Sequence, residues 1–374
     1  MVNYLTHVTS IVPRLPPAID GVGDYALNLA RQLRKDFNIQ THFIVGNTKW
    51  NSAAEIDGFP VSQVTVGVAD HRHHSSDALL NLLSSDRSSS ILLHYVGYGY
   101  AQRGCPVWLV DGLQRWKSLF PKRSLVTMFH EVYALGPPWT SSFWLSPLQK
   151  NLAARLAQMS DRCITSKQSY GEVLYQLNPS KQTEITCLPV FSNIGEPEYL
   201  PTLSERSQRL VVFGSRNARL QVYNQSLKAL EETCQNLKIK EILDIGVPTG
   251  LELSKIKGIP IIERGVDEAE EISKILQDSI AGFLKFPPPT YLAKSGIFAA
   301  CCAHRLIPCM AISSKIPIDS LEKGKHYWST DDHSNELTLK QGQDIADNAY
   351  AWYQTHSLPV QAKIFMENLI LRQQ

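Results

Sequence analysis

The stretch YLTHVTSIVPRLPPAIDGVGDYALNLARQLRKDFNIQTHFIVG (residues 4–46) holds two β-rich runs, YLTHVTSIV and THFIVG, on either side of a glycine-bearing turn and a helical pattern. Within that pattern Ala26, Leu29, Ala30 and Leu33 recur at three- and four-residue spacing, so they fall on one helix face. Strand, turn, helix and strand in this order are a βαβ unit. The same rhythm continues outward through SILLHY, a helix over 107–120, SLVTMFH, a helix bearing Leu148, Leu152 and Leu156, then RCITS and ITCLPV. Such alternation predicts a mostly parallel sheet covered by helices.

The pattern lapses in FSNIGEPEYLPTLSERSQ (191–208), which is polar and proline-bearing, as a linker would be. A second α/β series follows: RLVVFG, a helix over 222–234, EILDIG, IPIIERG, the acidic helix DEAEEISKILQD, AGFLKF and IPCMAIS. From about Gly342 the chain reads as helical, broken at Pro359. The expectation is an α/β protein with Rossmann-like lobes over 1–195 and 205–340 and terminal helices over 341–374. At 374 residues the chain is long enough for two cores.

Composition narrows the function. A formal net charge of +2, with 19% charged residues, offers no bulk positive field, and the expectation drawn from it is that nucleic acid is not a partner. Seven scattered cysteines without C-x-x-C spacing suit a reducing compartment. The N-terminus lacks a signal-peptide pattern and no run of about 18 apolar residues occurs, so a cytoplasmic protein is expected, at most peripheral to a membrane. LQRWKSLFPKR (113–123) reads as an amphipathic helix with a basic end, and alternatively as apolar anchors among cations that dock on anionic lipid. HRHH (71–74) places histidines side by side, which does not converge them on one metal ion.

Ligands of open α/β sheets bind beyond the carboxyl ends of the strands, which directs attention to four loops: DGVGDY (20–25), HYVGYGY (94–100), HEVYALG (130–136) and FGSRNAR (213–219). Gly21, Val22 and Gly23 give a turn in which glycine permits positive φ and close approach, before a helix whose N–H groups favour an anion; a plain tight turn is the alternative. Asp24 is either a dipole-favourable residue or one that orients an acceptor hydroxyl. His94 and Tyr95 end a strand, as site wall or as a buried aromatic pair.

In that order the four segments resemble the GT-B glycosyltransferases, particularly the large retaining family 4, over nearly the whole chain. The similarity lies in the glycine loop with YALNLARQLRKDFNIQTHFIV, in HEVY followed by LSPLQKNLAARLAQMSDRCITSKQSYGEVL, and in IADNAYAWYQTHS. It implies two Rossmann-like lobes with parallel sheets facing a central cleft and a terminal helix crossing back to the first lobe. The implied activity is transfer of a sugar, with retention and without metal or cofactor, from a nucleotide-sugar donor to a saccharide or lipid-linked acceptor.

The resemblance also implies roles for residues. His130 would line the sugar site with Glu131 beside it. Gly214, Arg216 and Arg219 would meet the leaving diphosphate, as would Lys294, Ser295 and Gly296 at the start of a small-residue helix. Gly21, Val22, Gly23, Asp24, His94 and Tyr95 would stand on the acceptor side. One departure is plain: where the family carries two glutamates eight residues apart, TYLAKSGIFAACCAHRLIPCM has Ala293 and Cys301, or Lys294 and Cys302, and the turn glycine is replaced near Arg305. A non-catalytic GT-B protein that binds a nucleotide sugar or a partner transferase is therefore the alternative. An epimerase would need a second acid/base pair besides His130 and Glu131, and a dinucleotide oxidoreductase lacks its G-x-G-x-x-G.

Overall fold

The computed structural model describes residues 6–47, 49–50, 53–65, 73–86, 88–178, 185–285, 289–331 and 337–370. The chain divides into two compact units, Met1–Pro189 with Gln361–Gln374, and Val190–Val360.

The first unit is built on β1 (His7–Val12), α1 (Gly21–Phe37), β2 (Gln40–Val45), β3 (Glu55–Ile56), β4 (Phe59–Gln63), α2 (His73–Ser85), β5 (Ser90–Tyr95), α3 (Gly97–Tyr100), α4 (Val107–Leu119), β6 (Ser124–Phe129), α5 (Ser141–Met159), β7 (Arg162–Thr165), α6 (Gln168–Leu177) and β8 (Ile185–Cys187). Its sheet runs β3-β4-β2-β1-β5-β6-β7-β8, parallel except for the β3–β4 hairpin. Every residue of β5 and β6 is buried, as central strands covered on both faces must be. α1 buries Tyr25, Ala26, Leu29, Ala30 and Leu33 and stops at Asn38, whose φ of 56° ends the helix in the left-handed conformation that asparagine tolerates.

The second unit repeats the plan with β9 (Ser207–Phe213), α7 (Arg216–Gln225), α8 (Leu227–Asn236), β10 (Glu241–Ile245), β11 (Lys255–Ile256), β12 (Ile259–Gly265), α9 (Ala269–Gln277), β13 (Ser279–Leu284), α10 (Gly296–Ala303), β14 (Ile307–Met310), β15 (Trp328–Ser329) and α11 (Leu339–Gln354). The order is β11-β12-β10-β9-β13-β14-β15, again parallel but for one hairpin, β11–β12. Each sheet thus changes winding direction once, between β1 and β5 and between β9 and β13. These are two Rossmann-like lobes.

Several expectations are corrected. The helix over 222–234 is two helices that meet at Ser226. The terminal break falls at 355–357, and Pro359 lies in the first turn of α12 (Leu358–Leu369), where its missing N–H costs nothing. α11 packs in the core of the second unit through Ile345 and Ala346; only from Gln361 does the chain belong to the first unit. Of the apolar anchors read in residues 113–123, Leu119 is exposed but Trp116 is not. Trp116 is fully buried, Arg115 pairs with Asp77, Lys117 with Asp161, and the Arg123 guanidinium reaches the carbonyls of Leu83 and Asp86.

Two histidines are expected to make the second unit acid-sensitive. His304 and His356 are buried, and burial lowers each pKa to about 4. Both are neutral in the folded unit but take up a proton in the unfolded chain below about pH 6.5, so acid favours unfolding. Going from pH 7 to pH 5 should cost roughly 2 kcal/mol for each, read as a fall in the melting temperature. Replacing both by glutamine should flatten that fall.

Candidate active site

In the first unit the change of winding lies between β1 and β5, and the loop after β1 leads into α1. Asp20 caps that helix, its Oδ1 accepting from the N–H groups of Val22 and Gly23 at 3.0 and 3.2 Å, while Arg14 lies 3.3 Å from Oδ2. The helix start is thus filled by the chain's own carboxylate, and the expectation of an anion site there is corrected. Neither Gly21 nor Gly23 has positive φ. Gly23 is needed for another reason: a Cβ there would collide with the carbonyl oxygen of Arg14. Asp24, one turn on, is held up at a pKa of about 6 by burial and by the nearby Asp20 charge, so its carboxylate is ready to accept a proton near neutral pH.

His94 and His130 come together one strand apart. His130 continues the β5–β6 ladder by donating its backbone N–H to the Tyr95 carbonyl at 3.0 Å, and its Nε2 lies 3.1 Å from Nδ1 of His94. The two rings stack at 5.4 Å, and the Tyr25 ring meets both edge-on, at 5.9 Å for His94 and 5.1 Å for His130. The Tyr25 hydroxyl donates to Gln361 Oε1 at 2.6 Å, which fixes the α1 side of the cluster. His94 is 0% exposed, and burial pushes its pKa down to about 3. It is a neutral imidazole that holds His130 in place. Glu131 is half-buried beside it.

Tyr95 is corrected. Successive strand residues point to opposite faces, so Tyr95 turns away from His94 into the core with Phe129, Leu109 and Leu113.

In the second unit β9 is followed by Gly214, whose φ is 121° and whose missing side chain lets Ile297 of α10 pack against the strand end. Gly214, Ser295 and Gly296 are therefore brought together. Ser295 caps α10 by accepting from the Phe298 N–H at 3.1 Å, and the first-turn N–H groups of Gly296 and Ile297 have no intrahelical acceptor. Lys294 precedes them, its ammonium 5.0 Å from the Tyr291 ring centroid.

The arginines behave oppositely. Arg216 is exposed and reaches the carbonyls of Pro248 and Thr249 at 3.1 and 2.7 Å. Arg219 is 0% exposed and binds the Gly214 carbonyl, the Asp244 carboxylate and the Val247 carbonyl, while the Tyr223 hydroxyl donates to Asp244 at 2.6 Å. Arg219 is a tie between the ends of β9 and β10, and its expected role as diphosphate ligand is corrected: its charge is already neutralised inside the unit. The signal missed in the sequence was Asp244 in EILDIG, a carboxylate in a buried strand that requires a partner. Lys285 was missed too. It follows β13, and extending the Gly282↔Val211 register sets it level with Gly214.

The stretch without paired glutamates is accommodated structurally. Ala293, Cys301 and Cys302 are buried, so a carboxylate at any of the three would be desolvated; only Lys294 of the four positions is partly exposed. Arg305 sits at φ 55°, the turn conformation otherwise given to glycine, and donates to Asp347 at 2.5 Å. Among the described residues no group of three or more His, Cys, Asp or Glu gathers as metal ligands. His71 and Arg72 of the HRHH motif, and the side chains of His73 and His74, lie outside the described residues.

Two doubly wound lobes of this strand order are the GT-B glycosyltransferase fold. No protein-family model matches the sequence, and neither does a curated protein. Among solved structures, a glycosyltransferase from Rickettsia africae ESF-5 superposes with a TM-score of 0.63 at 9% identity, over 98% of this chain and 99% of that one. An α-glucosyltransferase in complex with UDP and a 13-mer DNA containing an HMU base gives 0.60 at 10% identity, over 97% and 99%. The apo lipopolysaccharide outer core galactosyltransferase WaaB gives 0.57 at 12%, over 97% and 99%. At such identities the likeness is one of fold.

The DNA complex overturns one expectation. A glucosyltransferase of this fold is bound to DNA, so the exclusion of nucleic acid from a near-neutral net charge does not hold. Net charge averages over a surface and is silent on a local groove. Among the described residues no helix is long and apolar enough to cross a membrane.

Proposed function

We propose that this protein is a retaining, metal-independent glycosyltransferase that moves a sugar, a hexose in the simplest case, from a nucleotide-sugar donor to a saccharide or lipid-linked acceptor. The observation that carries the reading is the meeting of Gly214 with the first turn of α10 at the winding change of the second unit. There, unpaired N–H groups of Gly296 and Ile297, the Ser295 hydroxyl, and the cations Arg216, Lys285 and Lys294 offer what a leaving nucleoside diphosphate needs. In the first unit His130, with Glu131 beside it, addresses the transferred sugar, His94 positions His130, and Asp24 with the Gly21–Val22–Gly23 turn serves the acceptor hydroxyl. Catalysis in this scheme is electrostatic and positional.

The non-catalytic alternative rests on the absent glutamates. Incubation with UDP-, GDP- and ADP-sugars separates the two, since release of free nucleoside diphosphate requires a working site even without acceptor. The acceptor screen should include saccharides, glycolipids and, given the glucosyltransferase–DNA complex, DNA bearing a hydroxymethylated base. Turnover should survive EDTA; loss restored by Mg²⁺ or Mn²⁺ would show that metal supplies the charge assigned here to cations and a helix terminus.

His130→Ala should lower turnover about ten-fold or more, the loss of one group of about 1.4 kcal/mol, with nucleoside-diphosphate affinity nearly unchanged. If the imidazole only packs against His94 and Tyr25, the variant loses melting temperature and keeps its turnover per folded molecule.

A further inference from the structure

We propose that Ser62, His42 and Asp86 form a second reactive site in the first unit, a serine nucleophile with its general base and orienting carboxylate, that takes activated acyl and phosphonyl donors. His42 lies on β2, Ser62 on β4, and Asp86 between α2 and β5. The Ser62 hydroxyl is 2.9 Å from His42 Nε2, and His42 Nδ1 is 2.8 Å from Asp86 Oδ2. An ionised carboxylate only accepts, so Nδ1 carries the imidazole hydrogen and Nε2 is left to accept from the serine. That tautomer is the one a general base needs in order to take the hydroxyl proton.

The carboxylate is anchored independently of the histidine. Thr9 donates to Asp86 Oδ2 at 2.7 Å and the Ser88 N–H to Oδ1 at 2.6 Å. Burial alone would raise the Asp86 pKa, but the bonds from His42, Ser88 and Thr9 more than reverse this and hold it well below the usual carboxylate range. The triad also opens to solvent. It lines a cavity of about 520 Å³ with His7, Leu82 and Ser85, and the His42 side chain is 29% exposed. That volume suits a small organic group. His42 pairs across from Thr9 on β1, Ser62 from Ile44 on β2, and Asp86 precedes β5, whereas His94 and His130 stand at the carboxyl ends of β5 and β6; in the order β4-β2-β1-β5-β6 the serine is four strands away from His130.

With a fluorophosphonate, the Ser62 oxygen forms a bond to phosphorus, the P–F bond breaks, fluoride leaves, and the serine proton passes to His42 Nε2. With an activated ester, the oxygen forms an acyl bond, the alkoxide or phenoxide leaves and takes that proton from His42, and water then releases the acid and restores the serine. An oxyanion hole is a separate requirement, so slow acylation by activated donors is the expected activity.

The test is labelling of the full-length protein by a fluorophosphonate probe, with the modified peptide identified by mass. Label is expected on Ser62 and should fall at least ten-fold in His42→Asn, with thermal melting confirming that the variant is folded. In Ser62→Cys, iodoacetamide should alkylate the new thiol faster than it does when His42→Asn is added. Absence of label on Ser62, label only on Ser85 or Ser88, or labelling and alkylation indifferent to His42 would overturn the proposal and leave a network that merely ties β1, β2 and β4 together.

Discussion

Replacing Arg219 by methionine should destabilise the second unit by about 3–5 kcal/mol, the expected cost of removing one partner from a buried ion pair. The loss has little to do with the attraction itself. Arg219 is the group that neutralises Asp244 in the interior and satisfies the carbonyls of Gly214 and Val247; without it the buried carboxylate keeps only the Tyr223 hydroxyl and both carbonyls lose this donor. Burial already raises the pKa of Asp244, and that tendency is opposed by Tyr223 and by Arg219. The variant Asp244 is therefore expected to bind a proton on folding, which recovers part of the loss at low pH. Adding Asp244→Asn, which keeps an acceptor for Tyr223 but removes the charge, should restore part of the stability at pH 7. A stable Arg219→Met protein that has lost only its nucleotide affinity would show instead that this guanidinium meets the ligand.

The second large effect is expected at Gly214. Its φ of 121° lies where side chains are rarely accommodated, and a Cβ would run into Cδ1 of Ile297. Ile297 can give way, whereas the backbone cannot relax without moving the strand end away from α10. Strain of this kind costs on the order of 1–3 kcal/mol. If the relaxed geometry separates the N–H groups of Gly296 and Ile297 from Arg216, Gly214→Ala should weaken nucleoside-diphosphate binding by about ten- to a hundred-fold. Ile297→Ala relieves the collision and not the φ, so the double variant should bind no better than Gly214→Ala. Full recovery in the double variant would place the whole effect on the side-chain contact.

How far the sequence was legible follows from the range of the interactions involved. The βαβ rhythm and the face of α1 depend on neighbours within a few residues, and Ala26, Leu29, Ala30 and Leu33 are buried as their spacing requires. The loops after the strands were found for the same reason. Side-chain direction at those loops was not legible. Whether Arg216 or Arg219 faces solvent is decided by Asp244, a strand away, and no local pattern distinguishes the two arginines.

His94 and Tyr95 show the same limit at finer scale. Strand parity says that they part to opposite faces, but which of the two joins His130 is decided by Tyr25 on α1 and by the strand order. Asp20 is legible as a cap from its place before the helix, and glycines that suit an anion site suit a capped turn equally. The Ser62–His42–Asp86 constellation spans three elements with no spacing signature. Only the folded sheet assembles it.

Hydrogen exchange of the full-length protein, with and without saturating nucleoside diphosphate, tests the central claim most directly. The bases should be tried in parallel, since the residues named here address the diphosphate and leave the base open. With the diphosphate that binds, slowed exchange is predicted in the peptides carrying Gly214 to Arg216 and Lys294 to Phe298, where backbone N–H groups meet the ligand at the end of β9 and the start of α10. Protection confined to the peptides around Asp20 to Tyr25 or His130, with none at Gly214 or Gly296, would contradict the account.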